Sequence, residues 1–187
     1  MRTHRLNGGF ADPAVQAAHA FRAVMEVMAR PGTIQSVADL CPPSPMSAAA
    51  GAVVLTLCDA DTSLHLAGAH DTEELRQWIA FHTDAPIVGR ERCNFALGSW
   101  DALAPLSGYA VGTAEYPDRS ATLIVETDAL SQTGATLAGP GIRQEMNLSL
   151  PETAAFQANH LLFPLGLDFL FTCGERLAAL PRSTEVR

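Results

Sequence analysis

Between residues 12 and 30, apolar side chains return at three- and four-residue spacings, as Val15, Ala18, Phe21, Val24, Met25 and Met28. That rhythm predicts an α-helix from Pro13 to Arg30 with one apolar face about 25 Å long. Asp12 is its N-cap, Pro13 takes the first helical position, and Pro31-Gly32 stops it. The polar start before it reads as flexible. A short TIQSV strand (33–37) and a rigid CPPSP loop (41–45) follow. MSAAAGAVVLTLCD (46–59) is so continuously apolar that it predicts a buried helix, with Asp59 at or just past its end. Ser63 to Ala67 reads as a strand. Asp71 caps an amphipathic helix, DTEELRQWIAFHT, whose first turn holds Glu73 and Glu74. Pro86 to Leu97 is extended, and SWDALAPL makes a helical turn. Thr122, Ile124 and Glu126 alternate with Leu123, Val125 and Thr127, which predicts a strand with one buried face. ATLAG (135–139), Arg143 to Leu150, and Asp168 to Thr172 are further strands. Glu152 to Leu162 is a helix entered through Pro151. Early helices and later strands give an α/β fold, a mixed sheet flanked by helices, formed as a single domain over 1–187.

Composition narrows the function more than the fold. The chain has 187 residues, 48% hydrophobic and 17% charged, with a net charge of −8. It can bury a sizeable core and keep apolar surface in reserve for a partner. The acidic balance argues against nucleic-acid or anionic-membrane binding. No run of about 20 apolar residues occurs, and MRTHRLNGGF is too polar for a signal peptide, so the chain reads as cytoplasmic. Cys41, Cys58, Cys93 and Cys173 are scattered and read as small buried hydrophobes. All 12 basic residues are arginine. Without lysine there is no pyridoxal phosphate linkage, no Walker-type phosphate lysine and no amine nucleophile. Guanidinium groups remain, suited to bidentate recognition of carboxylate or phosphate.

Candidate chemistry is sparse. His65, His70, His82 and His160 lack metal-ligand spacing, so no metal site is expected. No serine sits in G-x-S-x-G. Asp59 and Asp61 in CDADTS fit a Mg²⁺ or proton-exchange site and fit a capping turn equally naturally. Asp168 heads an intensely apolar strand and needs an arginine partner. Arg22, Arg30, Arg119 and Arg182 are the candidates for anion binding, against a plainer role in ion pairs or helix capping. Gly139-Pro140-Gly141 resembles a phosphate-holding loop, but Pro140 lacks an N–H and a strand, not a helix, is expected next. It reads as a tight turn with φ > 0 at a glycine.

Six segments in order, FRAVMEVMARPG (21–32), GAVVLTLCDADT (51–62), GTAEYPDRSATL (112–123), LAGPGI (137–142), NHLLFPLGLDFLF (159–171) and ALPRST (179–184), together resemble the PhnH family of the bacterial carbon-phosphorus lyase system. The family's last motif usually ends Pro-Arg-Thr-Thr, and Ser183 stands here for the first threonine. The resemblance implies a homodimer working with the G, I and J subunits of a core complex in phosphonate catabolism. That complex couples MgATP to an alkylphosphonate, displacing adenine to give ribose 1-alkylphosphonate 5-triphosphate. The resemblance also implies a fold like the large domain of pyridoxal-phosphate-dependent transferases, and the missing lysine agrees with loss of that cofactor.

Two readings of the molecular role follow. In one, the chain is an accessory subunit that positions catalytic partners and holds no cofactor. In the other, Arg22, Arg30, Asp59, Arg119, Asp168 and Arg182 line a site for ATP or phosphonate.

Overall fold

A computed structural model describes residues 7–37 and 40–187. Residues 1–6, part of the start read as flexible, lie outside the described residues. In chain order the elements are α1 (Pro13–Ala29), β1 (Gln35–Ser36), α2 (Ala48–Leu57), β2 (Leu64–Leu66), α3 (Glu73–Thr83), β3 (Phe95–Ser99), α4 (Trp100–Leu103), β4 (Thr122–Glu126), β5 (Ala135–Ala138), β6 (Met146–Leu148), α5 (Ala154–His160), β7 (Asp168–Cys173), β8 (Arg176–Leu180) and β9 (Glu185–Val186). The main sheet is mixed, in the order β1-β8-β7-β4-β3-β2. Strands β2, β3, β4 and β7 are parallel, while β8 turns back antiparallel and β1 pairs antiparallel with β8. A smaller antiparallel sheet, β6-β5-β9, lies apart from it in the hydrogen-bonding pattern.

Two cores fill the two faces of the main sheet. Ile124, Leu170 and Leu177 pack with the three helices α1, α2 and α3. Leu123, Val125, Phe169 and Phe171 pack with α5 and the small sheet through Phe156, Leu137, Leu148 and Val186. Strand β4 therefore departs from its predicted single buried face: Leu123, Ile124 and Val125 are all fully buried. A central parallel strand is covered on both sides, and apolar alternation disappears there.

Helix α1 matches its predicted cap, with Asp12 accepting from the Val15 N–H at 3.3 Å. Its inward face is the predicted one only in part, through Val24 and Met28. Ala20, Val24 and Val27 are buried, whereas Val15, Phe21 and Met25 stay about half exposed. The helix has apolar residues on two arcs, so spacing alone could not tell which arc meets α2 and β8. Helix α2 is buried along most of its length, as its apolar run predicts. Asp59 closes a turn past its end, accepting from the Asp61 N–H at 3.0 Å and the Thr62 hydroxyl at 2.7 Å.

Helix α3 is capped by Thr72, which accepts from the Leu75 N–H at 3.2 Å, and not by Asp71. Asp71 instead pairs with Arg76 at 2.5 Å. Helix α5 is shorter than predicted, and β8 and β9 were not predicted. Both strands are short, and RLAAL has no alternation to mark it. Among the described residues no helix is long and apolar enough to cross a membrane.

The Gly139-Pro140-Gly141 segment follows β5 in the connection to β6, with φ of 130° and 80° at its glycines. A Cβ on Gly141 would overlap the Ala29 carbonyl oxygen at the end of α1. The turn thus locks α1 to the small sheet through a contact of bare backbone. Gly141→Ala combines a left-handed φ with that overlap, and should destabilise the chain by more than about 2 kcal/mol in urea unfolding.

Candidate functional site

Parallel strands give the main sheet two chemically different edges. At the amino edge, Asp168 begins β7 and meets Arg182, which follows β8. Arg182 Nη2 lies 2.5 Å from Asp168 Oδ2, Nε donates to Oδ1 at 3.2 Å, and the Arg182 backbone N–H donates to Oδ1 at 2.8 Å. The remaining donors reach the Pro117 carbonyl at 2.6 Å and the Ser120 hydroxyl. The arginine required by Asp168 is therefore Arg182, with only 14% and 16% of the two side chains exposed. This guanidinium is spent on β7 and the loop before β4. An anion could reach it only by displacing those bonds.

The other predicted residues do not join this cluster. Arg119 lies in the loop bounded by Pro117 and Ser120, its guanidinium carbon 4.0 Å from the Tyr116 ring centroid. Arg22 and Arg30 are on and just past α1. Arg30 pairs with Glu26 at 2.8 Å. Arg22 borders a groove of about 340 Å³ with His19, Glu26, Gln35 and Ser36. Asp59 is occupied by its own turn.

At the carboxyl edge lies a constellation that sequence reasoning did not single out. Glu126 ends β4 opposite Ser99 of β3 and Thr172 of β7. Its Oε1 accepts from the Ser47 N–H at 2.6 Å, at the N-cap of α2, and its Oε2 accepts from Thr172 Oγ1 at 3.0 Å. His70, in the turn after β2, places Nε2 3.9 Å from Glu126 Oε1. Both its ring nitrogens are buried without a hydrogen-bond partner among the described residues. The only sequence signal was an acid closing an apolar strand. Its pairing with a histidine 56 residues earlier in the chain is created by the sheet order.

Burial pushes the Glu126 carboxyl up, against the opposing effect of its Ser47 and Thr172 hydrogen bonds. Burial also pushes the His70 imidazole down. Each shift favours the neutral form, and at 3.9 Å the two groups are neighbours that share no hydrogen bond. Carboxyl ends of parallel strands are also where open α/β sheets bind ligands. A cleft of about 380 Å³ opens there, lined in part by Ser99, Asp101, Glu126, Thr127, Asp128 and Ser149. Its acidic wall is unfavourable for a phosphate. Among the described residues no three His, Cys, Asp or Glu side chains gather to hold a metal ion. Of the four cysteines expected to be buried, Cys58 and Cys93 are, Cys173 is half-buried and Cys41 is exposed; burial raises the Cys58 thiol to about 12 and the Cys93 thiol to about 11, so neither supplies a thiolate at neutral pH.

Comparison with known proteins gives consistent matches along the chain. The family model described as bacterial phosphonate metabolism protein (PhnH) matches residues 8–187. The chain is 40% identical over 190 residues to the alpha-D-ribose 1-methylphosphonate 5-triphosphate synthase subunit PhnH of Rhizobium meliloti (strain 1021), covering 96% of this chain and 94% of that protein. It is 25% identical over 176 residues to HtxG of Stutzerimonas stutzeri, named as a C-P lyase subunit protein, covering 89% of this chain and 84% of the relative.

Arg182→Ala leaves Asp168 without its countercharge, and should cost about 3 kcal/mol in urea unfolding. The carboxyl edge should show two opposed pH effects. His70 takes up its proton at lower pH when folded than when unfolded. Its contribution is full above the ordinary imidazole value and is lost as pH falls through and below about 6.5. Glu126 holds its proton to higher pH when folded, so its contribution is full below the ordinary value of 4.5 and is lost as pH rises through the raised one. Urea midpoints measured from about pH 5 to about pH 7.5 should therefore lose acid sensitivity in His70→Gln and gain relative stability at the alkaline end in Glu126→Gln.

Proposed function

The chain belongs to the bacterial phosphonate metabolism protein (PhnH) family, and from that membership we propose that it is a subunit of alpha-D-ribose 1-methylphosphonate 5-triphosphate synthase in phosphonate catabolism. The observation that carries this reading is 40% identity to a named subunit of that synthase across 94% of the subunit's own length. Its role in the carbon-phosphorus lyase core complex is accessory: it assembles and positions partners and works in the cytoplasm. MgATP and the alkylphosphonate are substrates of the complex, and the partners are the G, I and J subunits together with a second copy of this chain.

The distribution of charge and apolar surface supports that role. Arg182 is committed to Asp168, while large apolar side chains stand outside the core. Leu161, Leu162 and Phe163 are 84%, 47% and 57% exposed. A groove of about 560 Å³, lined in part by Trp100, Pro105, Leu106, Val111 and Leu162, opens beside them. A projecting apolar segment and an apolar groove on one surface suit the self-complementary contact of a two-fold dimer. Four parallel strands with a cleft at their carboxyl edge support kinship with the large domain of pyridoxal-phosphate-dependent transferases. A chain without lysine has no amine to attach that cofactor.

The competing reading gives the chain a direct hold on ATP or phosphonate through Arg22, Arg30, Arg119 and Arg182, with Asp59 and Asp168. It requires Arg182 to release Asp168, and among these arginines only Arg182 shares bonds with Asp168. In a strain lacking its own copy, the chain should restore growth on methylphosphonate as sole phosphorus source. Calorimetry of the isolated chain with MgATP or methylphosphonate should give no binding heat. Growth that does not depend on the chain would sink the subunit reading, and micromolar binding of either ligand would replace the accessory role by the arginine-lined site.

A further inference from the structure

Helix α1 has more apolar surface than the core takes up. Its buried side is Ala20, Val24 and Val27. On the opposite arc Val15, Phe21 and Met25 are 50%, 50% and 53% exposed, and Ala14 and Ala18 are exposed with them. Ala14, Ala18, Phe21 and Met25 are spaced by four, three and four residues. At about 100° per residue that spacing keeps them in one stripe, the seam that receives the side chains of a second helix. Two alanines at one end allow close approach of a backbone. Phe21 supplies a large anchor, and Met25 is an unbranched side chain able to fit an irregular partner.

Charge selects among occupants. Arg22 flanks the stripe and has no hydrogen bond or ion pair among the described residues. Glu26, one turn on, is already paired with Arg30. A second copy docked here about a two-fold axis at the centre of the stripe would bring two unpaired guanidiniums together, a repulsive juxtaposition. A partner that presents a carboxylate at that point gains a charge-assisted bond instead. The groove holding His19, Glu26, Gln35 and Ser36 lies on the far side of Arg22 from the stripe, so Arg22 stands between the two.

We propose that the outer face of α1 is a docking surface for an amphipathic helix of another synthase subunit, with an acidic residue of that helix meeting Arg22. The proposal rests on the subunit reading above and adds to it the surface and the chemistry of the partner. Ala14, Ala18, Phe21, Arg22 and Met25 are exposed, so substitutions there leave the core intact.

The test is co-expression of the tagged chain with the other synthase subunits, followed by affinity recovery. Wild type and Arg22→Lys should recover the partners. Met25→Asp and Arg22→Glu should lower recovery by about tenfold or more. Phe81→Ser, at a 62% exposed apolar residue on α3, should leave it unchanged. Hydrogen exchange of the α1 amides should slow in the assembly relative to the isolated chain. Equal recovery by wild type and the α1 variants overturns the docking surface while leaving the subunit reading standing. No recovery by wild type removes both. A change in the oligomeric state of the isolated chain on Met25→Asp assigns the stripe to a second copy and overturns the proposal.

Discussion

The pairing of Arg182 with Asp168 organises one whole edge of the molecule. A carboxylate at the head of an apolar strand is tolerable only when its charge and lone pairs are met. Here one residue meets them with both its side chain and its backbone N–H, and the same guanidinium reaches back to Pro117 and Ser120. The loop before β4, the first residue of β7 and the segment after β8 are thereby held at one point. The Arg182 carbonyl also lies 3.0 Å from His160 Nδ1, which extends the tie to the end of α5. β9 and the small sheet continue from this anchored segment.

The opposite edge is assembled with less complete satisfaction. Glu126 holds the start of α2 and the end of β7 through hydrogen bonds, yet the imidazole beside it is buried without one. The two edges differ in how buried polarity is met: at one, every partner is close; at the other, an imidazole lies beside a carboxyl without a hydrogen bond to it. The clamp is consistent with an accessory subunit. The Glu126 and His70 pair sets a buried carboxyl and an unsatisfied imidazole beside an acidic cleft, far in character from a phosphate pocket.

Much of this architecture was legible where local rules act alone. Asp12 and Pro13 mark the start of α1, the apolar run of α2 marks its burial, and Asp168 announces the need for an arginine. Legibility ended where a choice depended on neighbours. Val15, Phe21 and Met25 share the spacing of a buried face, but α2 and β8 meet the other arc of the helix. Leu123 to Val125 lose their alternation because layers cover both sides of β4. His70 and Glu126 are joined only by the sheet order, which a linear reading cannot supply. The short strands β8 and β9 depend on partners already in place.

The contact between Gly141 and Ala29 bears on the energetics of assembly. The end of α1 is packed against the turn after β5 and its inner side is buried in the core, so the helix is held in place by packing before any encounter. A partner settling on it has little backbone entropy to freeze out on this side, so more of the contact free energy is kept as affinity. The glycine turn that first looked like a cradle for phosphate is, in this light, a device for preorganisation, setting the stiffness of a surface it does not itself belong to.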